Sequence, residues 1–185
     1  MTEKSDSQLV EAAMGGDVEA FTELCKRYYP AMVAIARAIL GDRHLAEDAA
    51  QETFAKASRN LLKLNELDKF AGWLTVICRN VARDIARKAG AGLHTCSLAE
   101  SAGDIPAIED KSQQNGHIEA VRSAIDKLAP EAKELIFLHY YDGMTYRQIS
   151  AVLGISQEAI NGRLRRAKKA IAERLRRHSK VEIEL

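Results

Sequence analysis

Between Phe21 and Ile39 the apolar residues Phe21, Leu24, Tyr28, Met32, Ile35 and Ile39 fall three and four positions apart, the interval that lines up side chains on one face of an α-helix. The same interval returns at Ala46, Ala50, Phe54, Ala57 and Leu61, and again at Phe70, Trp73, Leu74, Ile77, Val81 and Ile85. Only three prolines interrupt 185 residues, and two-residue alternation is absent outside the last few positions. An all-α fold follows. Apolar residues make up 46% and charged residues 29%, enough core material for folded domains rather than a disordered chain.

Other broad classes are excluded in turn. No apolar run is long enough to span a bilayer, and the opening "MTEKSDSQLV" is polar where a signal peptide needs an apolar stretch, so no membrane insertion and a cytoplasmic location are expected. Cys25, Cys78 and Cys96 are odd in number and widely spaced, which speaks against a disulfide framework. His94 and Cys96 lack a second ligand pair at zinc spacing, so neither a metal nor another cofactor is expected. The chain shows no nucleophile with a base and an orienting group, and no phosphate-binding glycine loop; an enzyme is the least favoured class.

Punctuation divides the chain. Ser5 or Asp6 can cap a first helix that ends at Gly15-Gly16, and Asp17 can cap the second, which Gly41-Asp42 terminates and Pro30 should kink. A third helix is predicted over about 45–62 and a fourth over 70–88. On the fourth, Arg79, Arg83 and Arg87 follow at i+4 with Asn80 beside them, so three guanidinium groups are expected to point the same way. Residues 89–117 are rich in Gly, Ser and Ala and lean acidic, and read as a flexible linker. Two small helical domains, 1–88 and 118–178, are the simplest division.

The formal net charge of +1 hides a segregated pattern. From Asn161 to Arg177 eight basic residues face Glu173 alone, a local charge of +7. Just upstream, Thr145 and Gln148 have capping-box spacing, Gly154 permits a left-handed turn, and Ser156 can cap a second helix. Two helices crossing through a tight turn make a helix-turn-helix. The second leaves Gln157, Asn161, Gly162, Arg165, Arg166 and Lys169 exposed, and these side chains suit a major groove: Arg bridges guanine acceptors, Asn or Gln pairs with adenine, and remaining cations lie along phosphates.

Taken together, these residues resemble an extracytoplasmic-function (group 4) sigma factor of the bacterial sigma-70 family, the dissociable promoter-recognition subunit of RNA polymerase. "LAPEAKELIFLHYYDGMTYRQISAVLGISQEAINGRLRRAKKAI" resembles region 4, while "DVEAFTELCKRYYPAMVAIARAILGDRHLAEDAAQETFAKASRNL" followed by "FAGWLTVICRNVARDIARK" resembles region 2. The resemblance implies a non-enzymatic initiation factor with four kinds of partner surface. Asp48, Gln51, Glu52 and Phe54 would dock on the clamp coiled coil of the polymerase β′ subunit, with the β flap as a further contact. Asn65, Lys69, Arg79, Asn80, Arg83 and Arg87 would hold the melted minus-10 element. Ser156, Gln157, Asn161, Gly162, Arg163, Arg165, Arg166 and Lys169 would read the minus-35 element. An anti-sigma factor would hold the protein inactive. The common "VKSRL" or "VRSRL" of region 4 is here Ile160-Asn161-Gly162-Arg163-Leu164, which implies an altered base preference. The rival reading is a stand-alone helix-turn-helix regulator that binds duplex DNA as a two-fold dimer.

Overall fold

The computed structural model describes residues 4–88 and 111–183, and every regular element among them is helical. Helix α1 (Asp6–Met14) starts with a complete Ser5–Gln8 capping box. Helix α2 (Val18–Leu40) is capped by Asp17, whose carboxylate accepts from the Ala20 amide at 3.0 Å, and continues as one helix through the exposed Pro30. It ends at Gly41 in the left-handed conformation (φ 73°), the C-terminal signal anticipated there. Asp42 does more than end that helix. Its side chain accepts from the Leu45 amide at 2.8 Å and caps α3 (Arg43–Asn60), which therefore begins two residues before the expected start. A 3₁₀ turn (Leu61–Lys63) and a second (Leu67–Lys69) lead into α4 (Phe70–Lys88), whose bounds match the sequence reading.

These four helices bury one core. Leu24, Met32, Ile35, Phe70 and Leu74 are entirely enclosed, each stabilising the fold by about 1.5–3 kcal/mol through apolar burial. Tyr28 meets Phe70 edge-on at 5.6 Å, and Asp6 ties α1 to α2 through Arg27 and Tyr28.

In the second half α5 (Lys111–Asp126) begins seven residues earlier than the predicted 118. Lys111 to His117 carries no apolar stripe, so periodicity had nothing to register there. The rest of the predicted linker, 89–110, lies outside the described residues. Helix α6 (Pro130–Ile136) opens with proline at its first turn and widens into a π-helical turn over Phe137–Tyr141, closed by the Asp142 amide on the Phe137 carbonyl at 3.1 Å. Helices α7 (Tyr146–Leu153) and α8 (Gln157–Ile183) complete the chain's described elements.

The two halves pack against one another. The buried core runs without a break from α2 and α4 into α6 and α7. The two-part helical organisation expected from the sequence is present, and the packing of one part on the other is an addition that local spacing does not register, because each half's apolar stripes look self-sufficient.

Candidate nucleic-acid interface

The helix-turn-helix forms as its spacing predicts. Thr145 accepts from the Gln148 amide at 3.3 Å while the Gln148 side chain accepts from the Thr145 amide at 2.9 Å. Gly154 takes the left-handed conformation (φ 66°), and its amide donates to the Ser150 carbonyl at 2.9 Å. Ser156 then accepts from the Ala159 amide at 3.2 Å and opens α8. Ile149, Val152, Ile160, Leu164 and Ala167 lock the two helices together.

Gln157, Asn161 and Arg165 follow at i+4 on the exposed side of α8, with Lys169 one turn further, 4.0 Å from Glu173. Arg163 and Arg166 are exposed too, but both turn toward the flank, where they line a cavity of about 560 Å³ with Lys127, Leu128, Ala132 and Arg174. Gly162 has open space: a Cβ there would meet nothing nearer than the Arg166 guanidinium at 3.8 Å. Lys168 lies 5.4 Å over the Tyr140 ring, a cation held near this face that sequence reasoning passed over. Further along α8, Arg174 donates to the Lys127 carbonyl at 3.0 Å and to the Ala124 carbonyl at 3.4 Å. A guanidinium thus satisfies carbonyls that the end of α5 leaves open, and braces the recognition helix.

On the first half, Asp48, Gln51 and Glu52 share an exposed face of α3, with Glu52 paired to Lys56 at 3.0 Å. Phe54 belongs to a different side of that helix. It is 8% exposed and stacks on Tyr29 at 6.4 Å, so it holds α3 in place rather than offering a contact surface. Asn65 is exposed in the loop between the two 3₁₀ turns, and Lys69 pairs with Glu66 at 2.6 Å. Trp73 packs against Phe70 at 6.0 Å, partly buried, as part of the core rather than an open stacking platform.

The basic stripe of α4 is where expectation and structure differ most. Asn80 and Arg83 are exposed, and Arg87 is exposed but paired with Asp84. Arg79 lies on the same side, bordering the same cleft as Arg83, but its charge is already taken up. It makes a bidentate pair with Glu134 of α6, at 2.9 and 2.7 Å, and this partner, only 4% exposed, raises the guanidinium pKa further. Glu134 sits in the apolar run "ELIFL", and a lone carboxylate amid core residues is the one sequence signal that could have flagged it. Arg37 was likewise missed: its guanidinium lies 5.2 Å over Phe137 and 5.3 Å over Tyr141.

Among the described residues no cluster of three metal-ligating side chains occurs, and no helix is long and apolar enough to cross a membrane.

Two family models match the chain: Sigma-70 region 2 over residues 24–91, and Sigma-70, region 4 over residues 118–171. The RNA polymerase sigma factor CnrH of Cupriavidus metallidurans is 30% identical over 175 residues, covering 90% of this chain and 92% of that protein. The probable RNA polymerase sigma factor RfaY of Xanthomonas campestris is 29% identical over 88% of this chain, which spans only 42% of that relative's length. Among solved structures, CnrH in complex with the cytosolic domain of CnrY superposes with a TM-score of 0.59 at 26% identity, covering 93% of this chain and 97% of that one. The sigma factor RpoE in complex with the anti-sigma factor NepR, from Bartonella quintana, gives 0.52 at 25% identity, covering 86% and 98%.

Proposed function

Because the chain belongs to the sigma-70 family, in its extracytoplasmic-function branch, we propose that it is a cytoplasmic, non-enzymatic transcription initiation factor that directs core RNA polymerase to particular promoters. The observation that carries this reading is the presence, in one chain and in order, of a region 2 fold with an exposed acidic-polar face and a region 4 helix-turn-helix with an exposed Gln-Asn-Arg stripe.

In this reading residues 1–88 dock on polymerase and open the minus-10 element, 89–117 link the halves, and 118–178 read the minus-35 element. Asp48, Gln51 and Glu52 make the polymerase contact, and Phe54 supports them from within the core. Gln157, Asn161 and Arg165 read base edges with Gly162 between them, while Ser156, Arg163, Arg166 and Lys169 position the helix on phosphates. Asn65, Lys69, Asn80, Arg83 and Arg87 lie along the separated strand; binding only the open form is what favours melting. Arg79 joins that set once it leaves Glu134. Two relatives are seen in complexes, one with a protein described as an anti-sigma factor, which supports a protein inhibitor for this chain as well.

The test is run-off transcription with purified core polymerase on a panel of randomised promoters. Discrete starts that require the protein, and that vanish with Asp48→Arg plus Gln51→Ala, are expected. Shifting of duplex DNA by the protein alone, with no protein-dependent start, would establish a stand-alone regulator instead.

A further inference from the structure

Behind the recognition helix lies the cavity of about 560 Å³ that α8 encloses with the end of α5 and the start of α6. Arg166 is nine residues beyond Gln157, two and a half turns at about 3.6 residues each, which puts it on the side of α8 opposite the Gln157, Asn161 and Arg165 stripe. Arg163 stands on the same rear side, one turn before it. Ala129, Ala132, Ala167 and Ala170 make most of the floor, with Leu128 beside them. The space exists because these positions are alanine, since larger apolar side chains there would fill it to ordinary interior density.

The rim carries the opposite chemistry. Lys127, Arg163, Arg166 and Arg174 bring four cations to it, against one carboxylate, Glu131. Arg174 is fixed by its bonds to the Lys127 and Ala124 carbonyls, at 3.0 and 3.4 Å. The Arg166 guanidinium lies back over Gly162, 3.8 Å from where a Cβ would stand. Among the described residues neither Arg163 nor Arg166 has an acidic partner at ion-pair distance. Like charges gathered on one rim repel, and an anion placed among them relieves that repulsion. Guanidinium forks match the paired oxygens of phosphate, sulfonate or carboxylate. Sites for small organic ligands have this make-up, an apolar wall with a few convergent polar groups, and volumes of about 300–1,000 Å³.

We infer that this cavity is a binding site for a small amphipathic anion, one acidic head on a compact apolar body. Arg163 and Arg166 hold the head, and the body lies on the alanine floor against Leu128. A DNA backbone alone does not account for the arrangement: its phosphate rows can meet the rim arginines, but they carry no apolar matter to a recessed floor. The site lies wholly within the second half, so it goes beyond the promoter-reading role and does not depend on it.

The test titrates the free full chain with anilinonaphthalene sulfonate, an amphipathic anion whose emission rises and shifts to the blue in apolar surroundings. One saturable site per chain is expected. Arg163→Gln combined with Arg166→Gln should weaken it about tenfold or more through loss of charge-assisted bonds. Ala170→Leu, which fills the floor with a good helix former, should weaken it to a similar degree, and the uncharged probe phenylnaphthylamine should bind the parent less tightly by a like factor. Absence of saturable binding would overturn the site. So would binding unchanged in both variants, which would put the probe on another apolar surface. Loss with the arginine variant but not with Ala170→Leu would show anions gathering outside the cavity and would overturn it too. If Ala170→Leu loses its helical circular dichroism, methyl spectra of the parent decide: the Leu128 and Ala167 signals must move as the probe binds, and their staying in place rules the cavity out.

Discussion

Cys78 is fully enclosed between α2 and α4, its thiol 3.3 Å from the Met32 carbonyl, and burial pushes its pKa up to about 11. A thiol so placed is a small core residue and a poor nucleophile. Iodoacetamide at pH 8 should therefore leave it unmodified in the native chain and label it fully in urea, as mass spectrometry of the tryptic peptide would show. Asp142 is a different case. The residue as a whole is exposed, but partial desolvation of its carboxyl pushes its pKa from 3.8 up to about 6, with Arg37 opposing the shift in part. The folded chain thus keeps a proton that the unfolded chain has released, and stability falls as pH rises from 3.8 to about 6, remaining at the lower level above that. Asp142→Asn should flatten this profile and stabilise the protein at pH 7, by less than about 1 kcal/mol because the side chain is partly solvated and screened. Urea melts at pH 4.5 and 7 would measure both effects. None of this was legible in the sequence: Asp142 sits in an ordinary "YDG" turn, and its environment comes from α2, a hundred residues away.

At the scale of elements, local chemistry was readable where one segment supplies all of its own signals. Helix α4 and the Thr145 box were placed correctly because their stripes and caps are contiguous. The early start of α3 was missed because Asp42 follows a glycine and reads as the end of α2, when one residue does both jobs. The π-helical turn at Phe137–Tyr141 leaves no compositional trace, since it is a shift of one hydrogen-bond register. Helix α8 offers two tests. Gly162→Ala should raise stability by about 0.5–1 kcal/mol, because the added methyl enters open space and the backbone loses less freedom on folding. Thr145→Ala should cost about 1 kcal/mol through the lost cap. Thermal melts followed at 222 nm would read both, and a glycine substitution that destabilises the chain would mean the helix is not packed as described.

For the whole molecule, the shared core makes a statement about cooperativity. Two domains on a strap unfold in two transitions, whereas halves joined through α2, α4, α6 and α7 unfold together. Scanning calorimetry of the free chain should show one peak with calorimetric and van't Hoff enthalpies in agreement, and Glu134→Gln should broaden or split it. The fold class and the order of the two halves could be read from periodicity and motif, but their union could not. Arg79 and Glu134 are 55 positions apart, and three arginines at i+4 look the same whether they await a phosphate or a carboxylate. The same separation also has a consequence during synthesis. Everything the first half needs for its own core has been made by Lys88, while the α6 to α8 segment that covers its flank arrives only as Arg174 emerges to brace α5. At about 5–20 residues per second that interval lasts roughly 4–17 s. For that time a nascent chain on the ribosome carries an uncovered apolar flank along α2 and α4, with Thr75, Ala38 and Ile39 among its residues, and this is the interval in which a chaperone has something to hold.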